Sequence, residues 1–328
     1  MSGCMGTDKP QISILMAVYE PRMDWLKLQL ESLEAQTYPN VKLYIRDDCS
    51  PTVPYEEIEK CVAQCIRSFP YELKRNEINV GSNATFECLT QEADGAYFAY
   101  CDQDDVWLPE KLNVLQEELE KSGAQLVCSD MFIIDGEGKR IASSITRIRR
   151  HHVFRSGEGL TDTLWYSNFA SGCALLVRAE TAKDAIPFNP HMYYDHYITL
   201  YSANEGKVIS LLKPLLEHRE HGNNQSSSMQ GIVDKKSYIH KRVDNVVDAV
   251  QWLTENFPCE ESLRQKLSQG LIWMKARQGY LRGNRGQAGM IWQYRSFSPM
   301  ASLFEIAMPY MPNSLFRLSI WASKNNCI

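Results

Sequence analysis

Apolar and polar positions follow two alternating periods along the first 140 residues. The apolar run Ile12–Val18 is typical of a buried strand, and Leu26, Leu30 and Leu33 then recur on one helix face, after Asp24 as a candidate N-cap. Further strands are predicted at 41–46, 71–75, 97–101 and 126–134, and further helices at 54–67, 83–93 and 109–121. Strands that alternate with helices predict an α/β fold, with a mostly parallel sheet flanked by helices.

The pattern changes after residue 234. Val243, Val247 and Val250 recur at helical spacing, and the stretch 290–321 is aromatic and amphipathic. We therefore predict a domain at 1–234 and a helical C-terminal region at 235–328. Packing on the domain is the default role for this region, and contact with an acceptor, a membrane surface or a second copy in a homodimer is the alternative.

Composition narrows the class of protein. The 328 residues are 44% hydrophobic and 23% charged, which excludes disorder. The net charge of −5 combines −12 in residues 1–234 with +7 in residues 235–328, and the basic part lacks the Lys/Arg clusters of a nucleic-acid partner. Ten scattered cysteines, a polar N-terminus and no apolar window of membrane-spanning length predict a cytoplasmic protein, with peripheral attachment to the inner face of the plasma membrane as a variant.

Acidic residues follow two of the predicted strands. Asp47 and Asp48 come directly after the second strand, and Asp102, Asp104 and Asp105 follow the fourth. The carboxyl ends of parallel strands meet at one edge of the sheet, where these carboxylates would repel one another without a cation. Mn²⁺ or Mg²⁺ held by carboxylates, and gripping a diphosphate, fits this pattern. The alternative is that the acids cap helices and form turns, with Asp105 capping the helix predicted at 109–121.

Five blocks of sequence resemble glycosyltransferase family 2, whose members have the GT-A fold. They occur in order at 12–19, 32–40, 47–50 (DDCS), 79–81 (NVG) and 102–112 (DQDDVWLPEKL). The last block is similar to the branch with bacterial rhamnosyltransferases and related surface-polysaccharide enzymes. The resemblance covers roughly residues 10–225 and implies an inverting, metal-dependent transferase that uses a nucleotide sugar.

The resemblance implies a donor-binding side. Tyr19 matches the residue that lies against the nucleotide base, and Asp48 matches the one that accepts a hydrogen bond from a pyrimidine. Asp102 matches a residue beside the ribose or the metal. Asn79 and Gly81 match an element near the nucleotide, with an ordinary turn as the alternative.

The same resemblance implies a metal and diphosphate site. Asp104 and Asp102 match the metal ligands, His221 completes the metal shell, and Arg219 approaches the diphosphate, with a solvated loop as the alternative. The polar stretch 223–228 is a candidate lid. Relatives usually carry Gly where this chain has Cys49, so a positive φ there would be strained.

Asp195 matches the catalytic base of the family. This base removes a proton from the acceptor hydroxyl as the oxygen attacks the anomeric carbon. Neighbouring tyrosines are expected to desolvate Asp195 and raise its pKa. The alternative is an ordinary helix N-cap.

The expected function is transfer of a sugar from dTDP-rhamnose or a UDP-hexose to a glycan or lipid-linked oligosaccharide, in the synthesis of bacterial capsule, O-antigen or exopolysaccharide. The main alternative is a non-catalytic protein that binds nucleotide sugars on the same fold. A nucleotidyltransferase is less favoured, because the N-terminus lacks a Gly-rich loop.

Overall fold

The computed structural model describes residues 9–149, 151–221 and 231–324. The chain divides into a sheet unit (Met1–Leu160, Ser167–Phe188 and Tyr193–Gly222) and a helical unit (Thr161–Tyr166, Asn189–Met192 and Asn223–Ile328). The predicted boundary at 234/235 stays a prediction. The candidate lid at 223–228 lies outside the described residues.

The sheet unit is built on one sheet of nine strands. In chain order they are β1 Ile12–Val18, β2 Val41–Asp47, β3 Tyr71–Arg75, β4 Tyr97–Cys101, β5 Val106–Trp107, β6 Leu126–Ile134, β7 Arg140–Ala142, β8 Leu175–Arg178 and β9 Val208–Arg219. Their order across the sheet is β3-β2-β1-β4-β8-β6-β9-β5, with β7 paired to β6.

Six of these strands run in one direction. β3, β2, β1 and β4 pair in parallel, and β6 pairs in parallel with β9. β8 lies between β4 and β6, antiparallel to both, which leaves those two pointing the same way. The predicted α/β fold with a mostly parallel sheet is therefore confirmed, although the local pattern did not reveal the reversed strand β8.

Helices follow most of the strands. They are α1 Met23–Glu34, α2 Tyr55–Cys65, α3 Ser82–Glu92, α4 Lys111–Ser122, α5 Ile145–Ile148, α6 Thr161–Leu164 (part of the helical unit), α7 Ala179–Asp184 and α8 Tyr194–Glu205. The first four helices lie at the predicted positions, and α5, α6 and α7 were not predicted. The predicted cap at Asp24 is wrong: α1 has its N-cap at Arg22, and the Asp24 carboxylate pairs with the Arg22 guanidinium at 2.6 Å.

Register brings the predicted site residues to one edge of the sheet. Val18 pairs with Asp47, and Met16 pairs with Cys101, so the loops after β1, β2 and β4 leave the sheet at nearly the same level. Below them the strands are almost fully buried under the apolar faces of α1, α2 and α4. This core fixes the edge from which the acidic loops emerge.

The helical unit continues with α9 Lys235–Ile239, α10 Asn245–Asn256, α11 Glu261–Leu281, α12 Ala288–Gln293, α13 Pro299–Ala307 and α14 Asn313–Lys324. A π-helical turn, His240–Asp244, joins α9 to α10. Val243, Tyr280, Ile291 and Phe316 belong to its apolar core. Among the described residues, none of the helices combines the length and apolar character needed to cross a membrane.

Candidate active site

Asp47 and Asp48, at the end of β2, have different hydrogen-bond partners. The buried Asp47 carboxylate accepts hydrogen bonds from Ser50 and lies 3.3 Å from Arg75 Nε. The Asp48 carboxylate accepts the N–H groups of Val80 at 2.9 Å and Gly81 at 2.8 Å. Asp48 thus closes the loop that precedes α3.

The loop after β2 has the positive φ at which Cys49 was expected to be strained. Cys49 has a φ of +58°, in the left-handed region where Gly is favoured. Gly81, the N-cap of α3, has a φ of +84°, and the Asn79 amide donates to the Asp48 carbonyl at 3.2 Å. Asn79 and Gly81 thus lie in the connection between β3 and α3, and both their turn role and their contact with a nucleotide stay predictions.

Tyr19 is tied to the acidic loop after β4 by Gln103. The Tyr19 N–H donates to Gln103 Oε1 at 2.8 Å, and Gln103 Nε2 donates back to the Tyr19 carbonyl at 3.0 Å. The Tyr19 side chain is 45% exposed, so its ring face is available for a base. Gln103 lies within the acidic block at 102–112, but no role was predicted for it.

The loop after β4 places three carboxyl groups close together, at Asp102, Asp104 and Asp105. Burial, followed by the charges of Asp105 and Asp104, raises the pKa of Asp102 to about 8. Burial and the charge of Asp105 also raise the pKa of Asp104 above its usual range, although His221 opposes this. Raised pKa values of this origin show that an added cation would be stabilising here.

His221 and Arg219 both contact Asp104, in different ways. His221 Nε2 lies 2.7 Å from Asp104 Oδ2. Arg219 is only 1% exposed, and its guanidinium donates to the backbone carbonyls of Asp104 at 2.9 Å and Asp135 at 3.1 Å. Arg219 therefore fixes the backbone of the acidic loop, and its predicted contact with a diphosphate stays a prediction.

Asp105 forms a buried ion pair that the sequence did not predict. His218 Nδ1 lies 2.9 Å from Asp105 Oδ1, and the Arg219 N–H donates to the same oxygen at 3.1 Å. Burial works against the charged His218, but the charge of Asp105 raises the pKa of its ring to about 9. The cap interpretation of Asp105 is wrong, because α4 has its N-cap at Glu110.

Cys173 lies beside this pair. The ligand atoms of Asp105, Cys173 and His218 all lie within 4.8 Å of one another, a spacing that would also suit a metal ion. In this structure His218 Nδ1 and Asp105 form a hydrogen-bonded ion pair, and a metal that bound here would have to displace the proton between them.

The acidic loop itself fits a hard divalent cation. Asp102 and Asp104 offer carboxylate oxygens in surroundings that already disfavour their negative charge, and His221 adds a ring nitrogen at Asp104. Mn²⁺ and Mg²⁺ take oxygen-rich sets of this kind, often together with phosphate oxygens. These ligand types are thus chemically suitable. Among the described residues, however, only Asp105, Cys173 and His218 bring three ligand atoms within 4.8 Å of one another, so the set of Asp102, Asp104 and His221 stays a prediction.

Lys111 is a fully buried lysine beneath the same loop. Its ammonium donates to the Cys173 carbonyl at 2.5 Å and lies 3.1 Å from the centre of the Trp107 ring. Burial lowers its pKa to about 7. Lysines are almost never fully buried, so the sequence block that contains Lys111 did not reveal its position.

Asp195 lies in the first turn of α8 and is held by backbone N–H groups. Gly172 donates to Oδ2 at 3.0 Å and His196 to Oδ1 at 2.6 Å. Burial raises the pKa of Asp195 to about 6, against the effect of these two hydrogen bonds. The N-cap interpretation is wrong, because Tyr193 occupies that position.

The turn Gly172–Ala174 links Asp195 to the acidic side of the site. A Cβ on Gly172 would overlap the hydroxyl of Tyr194, a ring that packs 4.1 Å from Phe86 and 5.2 Å from Tyr100, measured between centroids. Only Gly therefore fits where the N–H must reach Asp195.

The base candidate and the acidic loop are electrostatically connected. The charge of Asp195 is among the causes that raise the pKa of Asp102, after burial and the two nearer aspartates. Both charges also raise the pKa of the buried Tyr194, whose main cause is burial. The turn Gly172–Ala174 gives the geometric link, because Gly172 donates to Asp195 and Cys173 Sγ lies 3.9 Å from His218 Nδ1, the partner of Asp105.

The family model described as "Glycosyl transferase family 2" matches residues 13–181. The chain belongs to glycosyltransferase family 2. The match contains β1 to β4 and both acidic loops. The predicted family is therefore confirmed, while the rhamnosyltransferase branch stays a prediction.

Several curated relatives are named as uncharacterised glycosyltransferases. One from Nostoc is 27% identical over 66% of this chain and 67% of its own length. The Escherichia coli protein WfaP, named as a UDP-Glc:alpha-D-GlcNAc-diphosphoundecaprenol beta-1,3-glucosyltransferase, is 29% identical over 31% of this chain and 38% of its own. Two other relatives are matched over less than half of their length.

Solved structures confirm the GT-A fold of this family 2 member. Staphylococcus aureus TarS 1–349 in complex with UDP-GlcNAc superposes with a TM-score of 0.53 at 15% identity, over 88% of this chain and 90% of that one. The mannosyltransferase PcManGT from Pyrobaculum calidifontis, in complex with GDP-Man and Mn²⁺, gives a TM-score of 0.58 at 11% identity, over 97% and 86%.

Proposed function

We propose that this protein is an inverting, divalent-metal-dependent glycosyltransferase that moves one sugar from a nucleotide diphosphate to a hydroxyl group of a glycan acceptor. The observation that carries the proposal is the pairing of two environments at one sheet edge. One is an acid-rich loop suited to a cation, and the other is Asp195, with a pKa of about 6. Such a pair of tuned groups is typical of acid–base chemistry.

Each group has a distinct task in this reaction. Asp195 accepts the proton of the acceptor hydroxyl while that oxygen attacks the anomeric carbon and the bond to the diphosphate breaks, which inverts the configuration. Asp102, Asp104 and His221 would hold the cation, and Mn²⁺ or Mg²⁺ there supplies positive charge for the departing diphosphate. Gly172 holds Asp195 in place through its N–H.

The nucleotide would lie across the loops after β1, β2 and β4. We place its base near Tyr19 and Asp48, beside the loop that holds Asn79 and Gly81, and its diphosphate near Asp102 and Asp104. The half-exposed ring of Tyr19 and the common edge of the three loops support this placement. Through its buried guanidinium, Arg219 would support Asp104 from below.

The acceptor is proposed by analogy with relatives. WfaP, by its name, acts on a sugar linked to a lipid diphosphate. We propose a similar lipid-linked or glycan acceptor in surface-polysaccharide synthesis, with UDP-hexose or dTDP-rhamnose as the donor. GlcNAc-diphosphoundecaprenol is therefore the first acceptor to test.

The test has two stages. Calorimetry with UDP, dTDP and GDP, with and without Mn²⁺, identifies the nucleotide, and the matching sugar donors are then assayed for transfer. Asp195→Asn should keep nucleotide binding and lose transfer, while Asp184→Asn, an exposed aspartate on α7, should change neither. A chain that binds the donor with Mn²⁺ but transfers to none of the glycan acceptors would instead be a non-catalytic binding protein.

A further inference from the structure

Helix α13 has its polar and apolar faces reversed. Ser302 and Glu305 are fully buried, whereas Met300 is 78% exposed and Leu303 is 50% exposed. At about 100° per residue, Met300, Leu303 and Ala307 fall within an arc of roughly 60°, opposite the two buried polar residues. A helix that faces water normally has the opposite arrangement.

The buried polar face of α13 is fully provided with partners. Glu305 accepts two hydrogen bonds at 2.6 Å from the Arg277 guanidinium and one at 2.9 Å from the Tyr238 hydroxyl. Ser302 accepts a hydrogen bond from Trp273. The orientation of α13 is therefore fixed by specific contacts, and the outward direction of its apolar residues is a property of the fold.

Helix α14 is apolar on both sides. Phe316 and Ile320 are buried, while Leu315, Leu318 and Trp321 are about half exposed. The three exposed residues lie within roughly 120° of the helix circumference, on the side away from the buried pair. An exposed apolar arc beside a basic residue such as Arg317 is typical of a helix that lies at the boundary between water and a membrane.

The charges near these faces are mostly positive, although the exposed Asp234 lines the same cavity as Arg317 and Trp321. Between residues 282 and 324 the sequence has five basic residues and one acid, and that acid is the buried Glu305. Arg295 and Arg317 are exposed. A second copy of the chain would bring like charges together, whereas a bilayer with anionic headgroups offers the opposite charge and an apolar interior.

We propose that the exposed faces of α13 and α14 lie on the surface of a bilayer that contains anionic phospholipid. Met300, Leu303 and Leu318 enter the boundary between headgroups and acyl chains, and Arg295 and Arg317 meet the headgroups. The attachment is interfacial and needs no spanning helix. The proposal does not depend on the chemistry at Asp195.

The experiment is flotation of the full chain with vesicles of phosphatidylcholine alone, or of phosphatidylcholine and phosphatidylglycerol in equal parts. We expect binding to the anionic vesicles, weakened by salt. Arg295→Gln with Arg317→Gln should reduce affinity by about 30-fold. Leu303→Gln with Leu318→Gln should reduce it on the order of a hundredfold. The control is Leu212→Gln, at a leucine of β9 that is 75% exposed, and it should change nothing.

Three results would overturn the proposal. They are no binding to anionic vesicles, equal binding to both vesicle types, and binding that both double variants leave unchanged. A stable dimer in solution that the leucine variants dissociate, without any vesicle binding, would assign the face to a second copy.

If the variants do not fold, quenching of tryptophan fluorescence by spin-labelled lipid in the unaltered chain decides instead, and absence of quenching contradicts the proposal. Nucleotide binding without vesicles should be equal in all folded variants, so this proposal and the proposed function can fail separately.

Discussion

The two units each contain a buried ion pair, and the pairs differ in balance. In the helical unit, the Arg277 guanidinium matches the Glu305 carboxylate with two hydrogen bonds, one cation to one anion. In the sheet unit, His218 pairs with Asp105, but Asp102 and Asp104 lie beside them and keep raised pKa values. The first pair is complete in itself, whereas the second belongs to a cluster with surplus negative charge.

This difference distinguishes an ion pair that stabilises the fold from a cluster of carboxyl groups that is suited to binding a cation. A balanced buried pair fixes the geometry of its helices, and removal of either partner leaves an uncompensated charge. Surplus carboxylates at a sheet edge instead lower the stability of the unliganded protein and favour binding of a cation. Substitutions in the two clusters should therefore have opposite effects on stability and activity.

The largest expected effect is that of Asp104→Asn on transfer. Loss of this proposed metal ligand should reduce the rate on the order of a thousandfold. The melting temperature should stay equal or rise, because one of several crowded negative charges is removed. Rate assays and thermal unfolding of the same preparation test this. A less stable variant with full activity would remove the distinction between the clusters.

Arg277→Met should have the reverse profile. The free energy of unfolding should fall by about 3–5 kcal/mol, because Glu305 is left buried and unpaired. Arg277→Met combined with Glu305→Leu should recover most of this loss, as measured by urea unfolding. Nucleotide affinity of the folded fraction should not change, and a change in affinity would contradict a purely structural role.

Lys111→Met tests a cation within the acidic cluster. Methionine replaces most of the apolar stem, and a buried ammonium is costly, so stability should change little. Loss of the hydrogen bond to the Cys173 carbonyl should loosen the turn that presents the Gly172 N–H to Asp195. We expect transfer to fall by about 10- to 100-fold with nucleotide affinity retained. Unchanged kcat would show that the turn does not need Lys111.

The pH dependence of transfer should show the smallest effect. The base acts only when deprotonated, and the folded pKa of Asp195 is about 6, so the rate should rise with pH up to that value and then level off. At one unit below the pKa, the rate should be about tenfold lower. A rate that is flat from pH 5 to 8 would place the base elsewhere.

The sequence predicted most of the sheet because local patterns carry the needed information. The runs that became β1, β2, β4 and β6 are apolar enough to be recognised alone, whereas β3 (YELKR) is largely polar and was placed by the alternation of strands and helices around it. β8 is also a short apolar run, but nothing in Leu175–Arg178 indicates that it enters the sheet in reverse. Strand direction depends on the whole connection.

The sequence predicted where the candidate site lies, but it did not predict which of the site residues pair with one another. Acids after β2 and β4 were expected to meet, since parallel strands end together. The partner of Asp105 lies 113 residues away at His218, and no spacing rule connects the two. The pattern also did not indicate which aromatic residues of 290–321 are buried: Phe316 is buried, whereas Trp292 is exposed.

The side-chain amide of Gln103 affects how a ligand that spans two loops would be recognised. Gln103 ties the backbone of Tyr19 to the acidic loop with two hydrogen bonds, so these loops hold a set separation before anything binds. A ligand that spans them would meet a preorganised frame, and less conformational entropy would be lost on association. Shortening the Gln103 side chain should therefore weaken the contacts that such a ligand makes with both loops.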